Sequence, residues 1–213
     1  VLSRALKVEE GNLRLISFEN SGGSFGIKQA IMPMIILTCL ASRLSNKQVV
    51  WVEDRMEHLT AASSATGRLT KIKASIDDQG TIHALDYDQI DDVGAYPRAP
   101  EPASLYRMHG NLSGAYKVKN IRCRNRVILT NKTPSGLNRG FGGPQHYFAL
   151  ERLVHQIAVE LKLNVLDVIK INLLEKNQFP YKSPSGALLD SGNFQKLVKK
   201  VIESSTYKKI LKN

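Results

Sequence analysis

The chain has 213 residues, 30 of them Lys or Arg and 19 Asp or Glu, for a formal charge of +11. Hydrophobic content of 42% and charged content of 23% exclude wholesale disorder, and with only Cys39 and Cys123 there is no disulfide scaffold and no Cys-rich zinc or iron–sulfur site. The longest apolar stretch, Ala30 to Ala41, is broken by Pro33 and Thr38 and falls short of the roughly 20 residues a membrane span needs.

In chain order, Leu13 to Phe18 alternates and predicts a strand. Asn20 to Gly26 then breaks regular structure. Lys28 to Arg43 has the length and apolar content of a helix, with Pro33 early, where a missing N–H costs least. Gln48 to Val52 predicts a short β-branched strand ended by Glu53-Asp54. Thr70 to Ile76 and Thr81 to Ile90 predict two strands joined by a turn at Asp77-Asp78-Gln79-Gly80. Gly94 to Pro102 is a proline-rich loop. Asn120 to Thr130 predicts a strand with Arg122, Arg124 and Arg126 on one face. Thr133 to Gly143 is glycine-rich. A helix follows, opened by Pro144, with an apolar stripe of Tyr147, Leu150, Val154, Ile157, Ala158 and Leu161. Val165 to Leu174, capped by Asn164, predicts a second helix, and Asn193 to Ser204 an amphipathic one. Between them, Phe179 to Gly192 is turn-rich.

The charge is lopsided: residues 1–106 carry net −2 and residues 107–213 net +13. A basic half invites a nucleic-acid reading. Zinc-finger spacings are absent, however, and no aromatics interleave the arginines, so no nucleic-acid partner is expected. A solvated lysine surface, or a face toward a phosphate-bearing cofactor or an acidic subunit, explains the same charge. The chain opens Val-Leu-Ser-Arg, without an initiator Met or a signal-peptide pattern. It reads as a processed product or a piece of something longer, from a reducing, cytoplasmic compartment.

Two glycine loops carry the candidate chemistry. Gly22-Gly23-Ser24-Phe25-Gly26 lies between a predicted strand and a predicted helix. Glycines let backbone N–H groups approach an anion closely, and a following helix adds its positive end. Alone, this loop reads as a dinucleotide-binding turn with Glu53 holding a ribose, or as a tight turn with no ligand. The second loop, Asn138-Arg139-Gly140-Phe141-Gly142-Gly143-Pro144-Gln145, adds an arginine suited to forked bonds with phosphate or oxo groups. Two glycine–phenylalanine loops in one chain point to a shared anionic ligand.

These motifs resemble the large, molybdenum-binding subunit of the molybdenum hydroxylases: xanthine dehydrogenase, aldehyde oxidase and the aerobic carbon monoxide dehydrogenase. The resemblance runs nearly end to end. Gly22 to Lys28 is similar to the family's GGGFGGK, Arg55-Met56-Glu57-His58 to its R-x-E-H, and Asp92-Val93-Gly94-Ala95-Tyr96 to its D-x-G-A-Y. Ala84-Leu85-Asp86 resembles its hairpin, Thr130 to Leu153 its TN…P-S…RGFGGPQ…ALERL, and Phe179 to Gly192 its FPY…P-S-G…DSG.

The resemblance implies an α+β fold of the molybdopterin-binding domain type, a mixed β-sheet with helices packed on it. It implies that residues 1–164 are part of a first cofactor-binding domain. Residues 165–213 would be connecting helices and the start of a second, in a chain truncated at both ends. It also implies molybdopterin, in the cytosine dinucleotide form, with molybdenum held by the dithiolene and by no protein ligand. Hydroxylation of an aldehyde or aromatic N-heterocycle with water-derived oxygen would follow. Gly23, Phe25, Gly26, Arg139 and Gly140 would face the cofactor, and Gln29, Arg107 and Phe141 the substrate. The general-base glutamate would lie outside this chain, so the chain alone would be inactive. Partners would be the rest of the large subunit and iron–sulfur and FAD subunits. Ser24 and Ile27 depart from the family's loop glycines. Gln29 stands where purine oxidisers keep a glutamate and cannot ionise, which speaks against a purine. No cysteine lies between Thr130 and Gln145, which speaks against copper–sulfur chemistry. Two rival readings are a dinucleotide-binding dehydrogenase domain and a non-catalytic binding subunit.

Other residues have simpler readings. His58 caps or bridges structure. His146 and His155, nine apart on one helix, lack metal-ligand spacing. Asp86, Asp88, Asp91 and Asp92 form a solvated acidic hairpin rather than a cation site. Cys39 and Trp51 belong to a core.

Overall fold

The computed structural model describes residues 1–26, 31–99 and 101–210, and they fall into two units. The first comprises Val1–Gly67, Asp92–Ala103 and Ile128–Phe141; the second comprises Arg68–Asp91, Ser104–Val127 and the chain from Gly142 on.

In the first unit, helix α1 (Leu2–Leu6) lies against α2 (Met32–Ser45), and Arg43 Nη1 donates to the Leu6 carbonyl at 2.9 Å. The apolar run makes the helix expected of it, with proline in its first turn. Its first predicted residues, Lys28 to Ala30, lie outside the described residues. No side chain of α2 is buried, and Cys39 is only half-buried, contrary to its core reading. Helix α3 (Arg55–Ala61) opens with a capping box: Asp54 accepts from the Glu57 N–H, and Glu57 accepts from the Asp54 N–H. Two expected strands are absent. Leu13 to Phe18 and Gln48 to Val52 are not strands, and Leu15, Ile16, Phe18, Val50 and Val52 are exposed. β-Branched content only says that a segment suits a pleated, half-buried surface. Among the described residues neither segment has a neighbouring strand to bond.

The second unit is built on a sheet. Strands β1 (Gly67–Ile76) and β2 (Ile82–Asp92) meet at the predicted turn, where Asp77 Oδ1 accepts from the N–H groups of Gln79 and Thr81. Arg68 bonds Asp91 at the far end of the pair, so these strands run antiparallel. Strand β3 (Asn120–Ile128) takes the other side of β2. Its Asn120, Arg122 and Arg126 reach His83, Asp86 and Asp88 in ascending order, which is parallel pairing. The sheet is therefore mixed, as expected. The parallel pair needs a long crossover, here the stretch holding α4 (Ala103–Tyr106).

Helix α5 (Gly143–Glu160) lays Leu150, Leu153, Val154, Ile157 and Ala158 on Ile82, Leu85 and Tyr87 of β2. Each of these leucine, valine and isoleucine side chains contributes about 1.5–3 kcal/mol when buried. Gly142, just before α5, stands at φ +84°, and a Cβ there would lie 1.8 Å from the Ser104 carbonyl oxygen. Only glycine lets these two backbones meet. Helix α6 (Val165–Asn172) is capped by Asn164, as its sequence predicts, and adds Val168 to the core. Its last residue, Asn172, is buried: Oδ1 accepts from the Ile82 N–H, and Nδ2 donates to the carbonyls of Gly80 and Val168, each at 2.8 Å. The turn-rich stretch contains a short antiparallel pair, β4 (Tyr181–Lys182) and β5 (Leu188–Leu189). In α7 (Phe194–Glu203), Phe194 and Val198 pack on this core while Leu197 and Val201 face outward; α8 (Ser205–Ile210) follows. Among the described residues no helix is long and apolar enough to cross a membrane.

Two buried polar features make testable claims. Arg68 and Asp91 are each 1% exposed and share a forked bond at 2.6 and 2.8 Å. Removing one partner strands the other charge, so Arg68→Met is expected to cost about 3–5 kcal/mol, and Arg68→Met/Asp91→Leu much less, in urea unfolding. His146 is fully buried, its ring 5.4 Å from that of Tyr87. Burial, with a smaller push from Arg68, lowers its pKa from 6.5 to about 4. The unfolded chain then binds more protons between those values, so stability falls as pH drops from about 6.5 to about 4. The loss is about 3 kcal/mol, and His146→Leu is expected to remove that part of the pH slope.

Candidate functional site

The second glycine loop is held by the Asp92–Tyr96 stretch of the first unit. Asp92 Oδ1 accepts from the Gly94 N–H at 2.9 Å and the Thr130 hydroxyl at 2.6 Å, and Oδ2 pairs with Lys132 Nζ at 2.9 Å. These donors, Thr130 first, hold the Asp92 carboxyl down at about 2. Backbone bonds continue the clamp: Thr130 N–H to Gly94 O, Ala95 N–H to Lys132 O and Ser135 N–H to Val93 O. The Gly136 N–H then donates to Ser64 O, beside a parallel bridge between Ser64 and Ser135.

So anchored, residues 138–141 meet the first loop. The Arg139 N–H donates to the Phe25 carbonyl at 2.7 Å and also reaches Asn138 Oδ1 at 2.8 Å. The two loops share one backbone pattern: Phe25 at φ 52° is followed by Gly26 at φ 96°, and Phe141 at φ 50° by Gly142 at φ 84°. A non-glycine residue in this region costs about 1–3 kcal/mol and persists only where its surroundings impose it. A Cβ on Gly26 would lie 2.7 Å from the Leu137 carbonyl oxygen, so the loops also need glycine for close approach. Phe25 is 58% exposed, Arg139 is exposed and Phe141 half-buried. Among the described residues, the N–H groups of Gly23 and Gly140 have no hydrogen-bond partner. The joined loops thus offer backbone amides, a guanidinium and an aromatic face to an anionic, ring-bearing ligand.

Comparison with known proteins agrees with this geometry. A family model described as the molybdopterin cofactor-binding domain matches residues 1–173. The chain belongs to that family. It is 28% identical to the 6-hydroxypseudooxynicotine dehydrogenase complex subunit gamma of Paenarthrobacter nicotinovorans, over 97% of this chain and 27% of the relative. It is also 28% identical to the carbon monoxide dehydrogenase large chain of Hydrogenophaga pseudoflava, over 97% of this chain and 26% of the relative. Among solved structures, reconstituted CO dehydrogenase from Oligotropha carboxidovorans superposes with a TM-score of 0.89 at 26% identity, covering 98% of this chain and 26% of that one. Quinoline 2-oxidoreductase from Pseudomonas putida 86 gives 0.82 at 28% identity, covering 90% and 25%. The chain thus spans about a quarter of the length of these relatives.

For a molybdopterin-binding domain, the remaining expected residues fall as follows. Gly23, Phe25, Gly26, Arg139, Gly140 and Phe141 come together in one unit. Gln29 lies outside the described residues. Arg107 sits on an exposed turn of the second unit. Arg139 spends its backbone N–H on Phe25, which leaves its side chain for a ligand. Ser24 has an effect of its own, because its hydroxyl accepts from the Gly26 N–H at 3.3 Å and takes up a donor the glycine loop would otherwise present. Glu53 Oε2 pairs with His58 Nδ1 at 2.9 Å and is not set apart as a ribose ligand. The acidic hairpin is not simply solvated. Asp86 and Asp88 bond Arg122 and Arg126, Asp92 bonds Lys132, and Asp91 is buried against Arg68. Among the described residues, no group of His, Cys, Asp or Glu could hold a metal ion. Sequence reasoning missed Asp92 as the loop's anchor and the Asp54–Glu57 capping box. The D-x-x-E spacing was the available signal for the latter.

The close approach at Gly26 can be tested directly. Gly26→Ala must both hold φ 96° and push into the Leu137 carbonyl, whereas Gly22→Ala, at φ 70°, meets open space. Gly26→Ala is expected to lower stability by about 2–3 kcal/mol and Gly22→Ala by about 1, read from denaturant midpoints.

Proposed function

We propose that this chain is the cofactor-holding portion of a molybdenum hydroxylase that oxidises an aldehyde or an aromatic N-heterocycle with water-derived oxygen. The observation that carries the reading is the Arg139 N–H bond to Phe25 O, which makes one surface of two glycine–phenylalanine turns. When bound, molybdopterin supplies the two-electron redox chemistry. In this reading the cofactor is the cytosine dinucleotide form. Gly23, Gly26 and Gly140 keep the backbone close to it. Phe25 packs on it, and the Arg139 guanidinium binds an anionic oxygen. Phe141 stacks on the substrate ring, and Gln29 and Arg107 orient the substrate. The proton-abstracting carboxylate comes from protein beyond this chain, so the chain alone turns over nothing. Residues 1–164 belong to a first cofactor domain, and residues 165–213 lead to a second. The partners are the rest of the large subunit and iron–sulfur and FAD subunits, in the cytoplasm.

The test uses three variants in the complete enzyme. Arg139→Ala removes a charge-assisted bond to a held anion, about 1.5–3 kcal/mol, and is expected to cost molybdenum occupancy or turnover about tenfold or more. Arg124→Ala, on the outer face of β3, is expected to cost little. Phe141→Ala keeps the molybdenum and weakens aromatic substrates, because stacking area is lost and not charge. Metal analysis and steady-state kinetics read all three. Equal effects from Arg139 and Arg124, or molybdenum loss confined to the Phe141 variant, contradict these roles.

A further inference from the structure

The first unit holds a cavity of about 160 Å³ that the cofactor reading does not use. Trp51, Tyr96 and Met34 form apolar walls, and Arg98, Glu53 and His58 supply its charged and polar groups. A space of about 150 Å³ holds one benzene ring. Trp51, expected in a core, is instead 42% exposed and lines this space.

Its polar groups are fixed in place. The Arg98 guanidinium lies 5.8 Å over the Tyr96 ring, with Nη2 donating to the Tyr96 hydroxyl at 3.3 Å and Nη1 to the Ala61 carbonyl at 3.5 Å. Those two bonds use two of five donors, so a pre-oriented fork is left for a ligand. Glu53 is committed to His58 Nδ1, which leaves Nε2 as the ring's free nitrogen. A cation entering here meets Arg98. A phosphate has no apolar surface to offer the aromatic walls. One fixed guanidinium beside two aromatic rings suits a single negative charge on a flat apolar body.

We infer that this cavity binds a small arene carboxylate, its ring between Trp51 and Tyr96 and its carboxylate on Arg98. The site is built from the start of α2, Trp51 and Glu53 ahead of α3, α3 itself, and Tyr96 and Arg98, and does not rest on the molybdopterin assignment.

Trp51 is the chain's single tryptophan, so its emission reports occupancy directly. The full chain is titrated with benzoate, with acetate (charge without ring) and with benzyl alcohol (ring without charge). Benzoate is expected to change the emission saturably, with the other two binding at least about tenfold more weakly. Arg98→Gln is expected to weaken benzoate about tenfold, Arg98→Lys less, and Arg124→Ala not at all. Circular dichroism establishes that each variant is folded. The absence of a saturable response to benzoate in the unaltered chain overturns the proposal. So does acetate acting as well as benzoate, or undiminished benzoate binding in folded Arg98→Gln.

Discussion

The backbone N–H of Arg139 donates to the carbonyl of Phe25 across 2.7 Å, and the rest of the site follows from that bond. It joins two loops far apart in the chain, and in each a phenylalanine occupies the left-handed region, at φ 52° and 50°. Their close approach explains Gly26, where a side chain would collide with the Leu137 carbonyl. The strain is offset upstream by Asp92, whose carboxylate collects Gly94, Thr130 and Lys132 and fixes where the second loop starts. Burial of Pro134, Ser135 and Gly136 and the hydrogen bonds of Asp92 fix the loop's root, while Arg139 and Gly140 at its tip stay exposed.

The second unit is organised differently. Its core is apolar along the contact of α5 and α6 with the sheet. Asn172 satisfies the Ile82 N–H and two carbonyls at once, tying α6 to the hairpin. Arg68 and Asp91 lock the opposite end of that hairpin. A buried ion pair adds little net stability, but a one-residue slip in the register of β1 against β2 would leave both charges unpaired in the interior. The outer face of the sheet shows a milder form of the same rule. Arg122 and Arg126 sit opposite Asp86 and Asp88, which moderates the repulsion among neighbouring arginines.

Several readings from sequence fail for a common reason. Leu13 to Phe18 and Gln48 to Val52 have strand composition, yet neither has a ladder partner among the described residues, and most of their apolar side chains face outward. Cys39, in an apolar helix, and Trp51, a large aromatic, both suit a core. Cys39 lies on a helix with no buried side chain, and Trp51 lines a cavity. Residue type records a preference for burial. Whether burial happens depends on a second surface, which no local pattern contains.

The amino-acid sequence alone determined the elements whose signals are local: the Asp77–Gly80 hairpin, α5 with its proline start and apolar stripe, the Asn164 cap, and the family of the chain through its two glycine–phenylalanine loops. Those signals are legible because turn chemistry, capping and helical period act within a few residues. Tertiary structure alone decided that Arg139 spends its N–H on Phe25, that Asp92 anchors the loop, that Asp91 is buried on Arg68, and that Trp51, Tyr96 and Arg98 enclose one small space. Each of these joins residues separated by long stretches of chain. Such pairings depend on where the backbone returns in space, and neither spacing nor composition encodes that return at any single position.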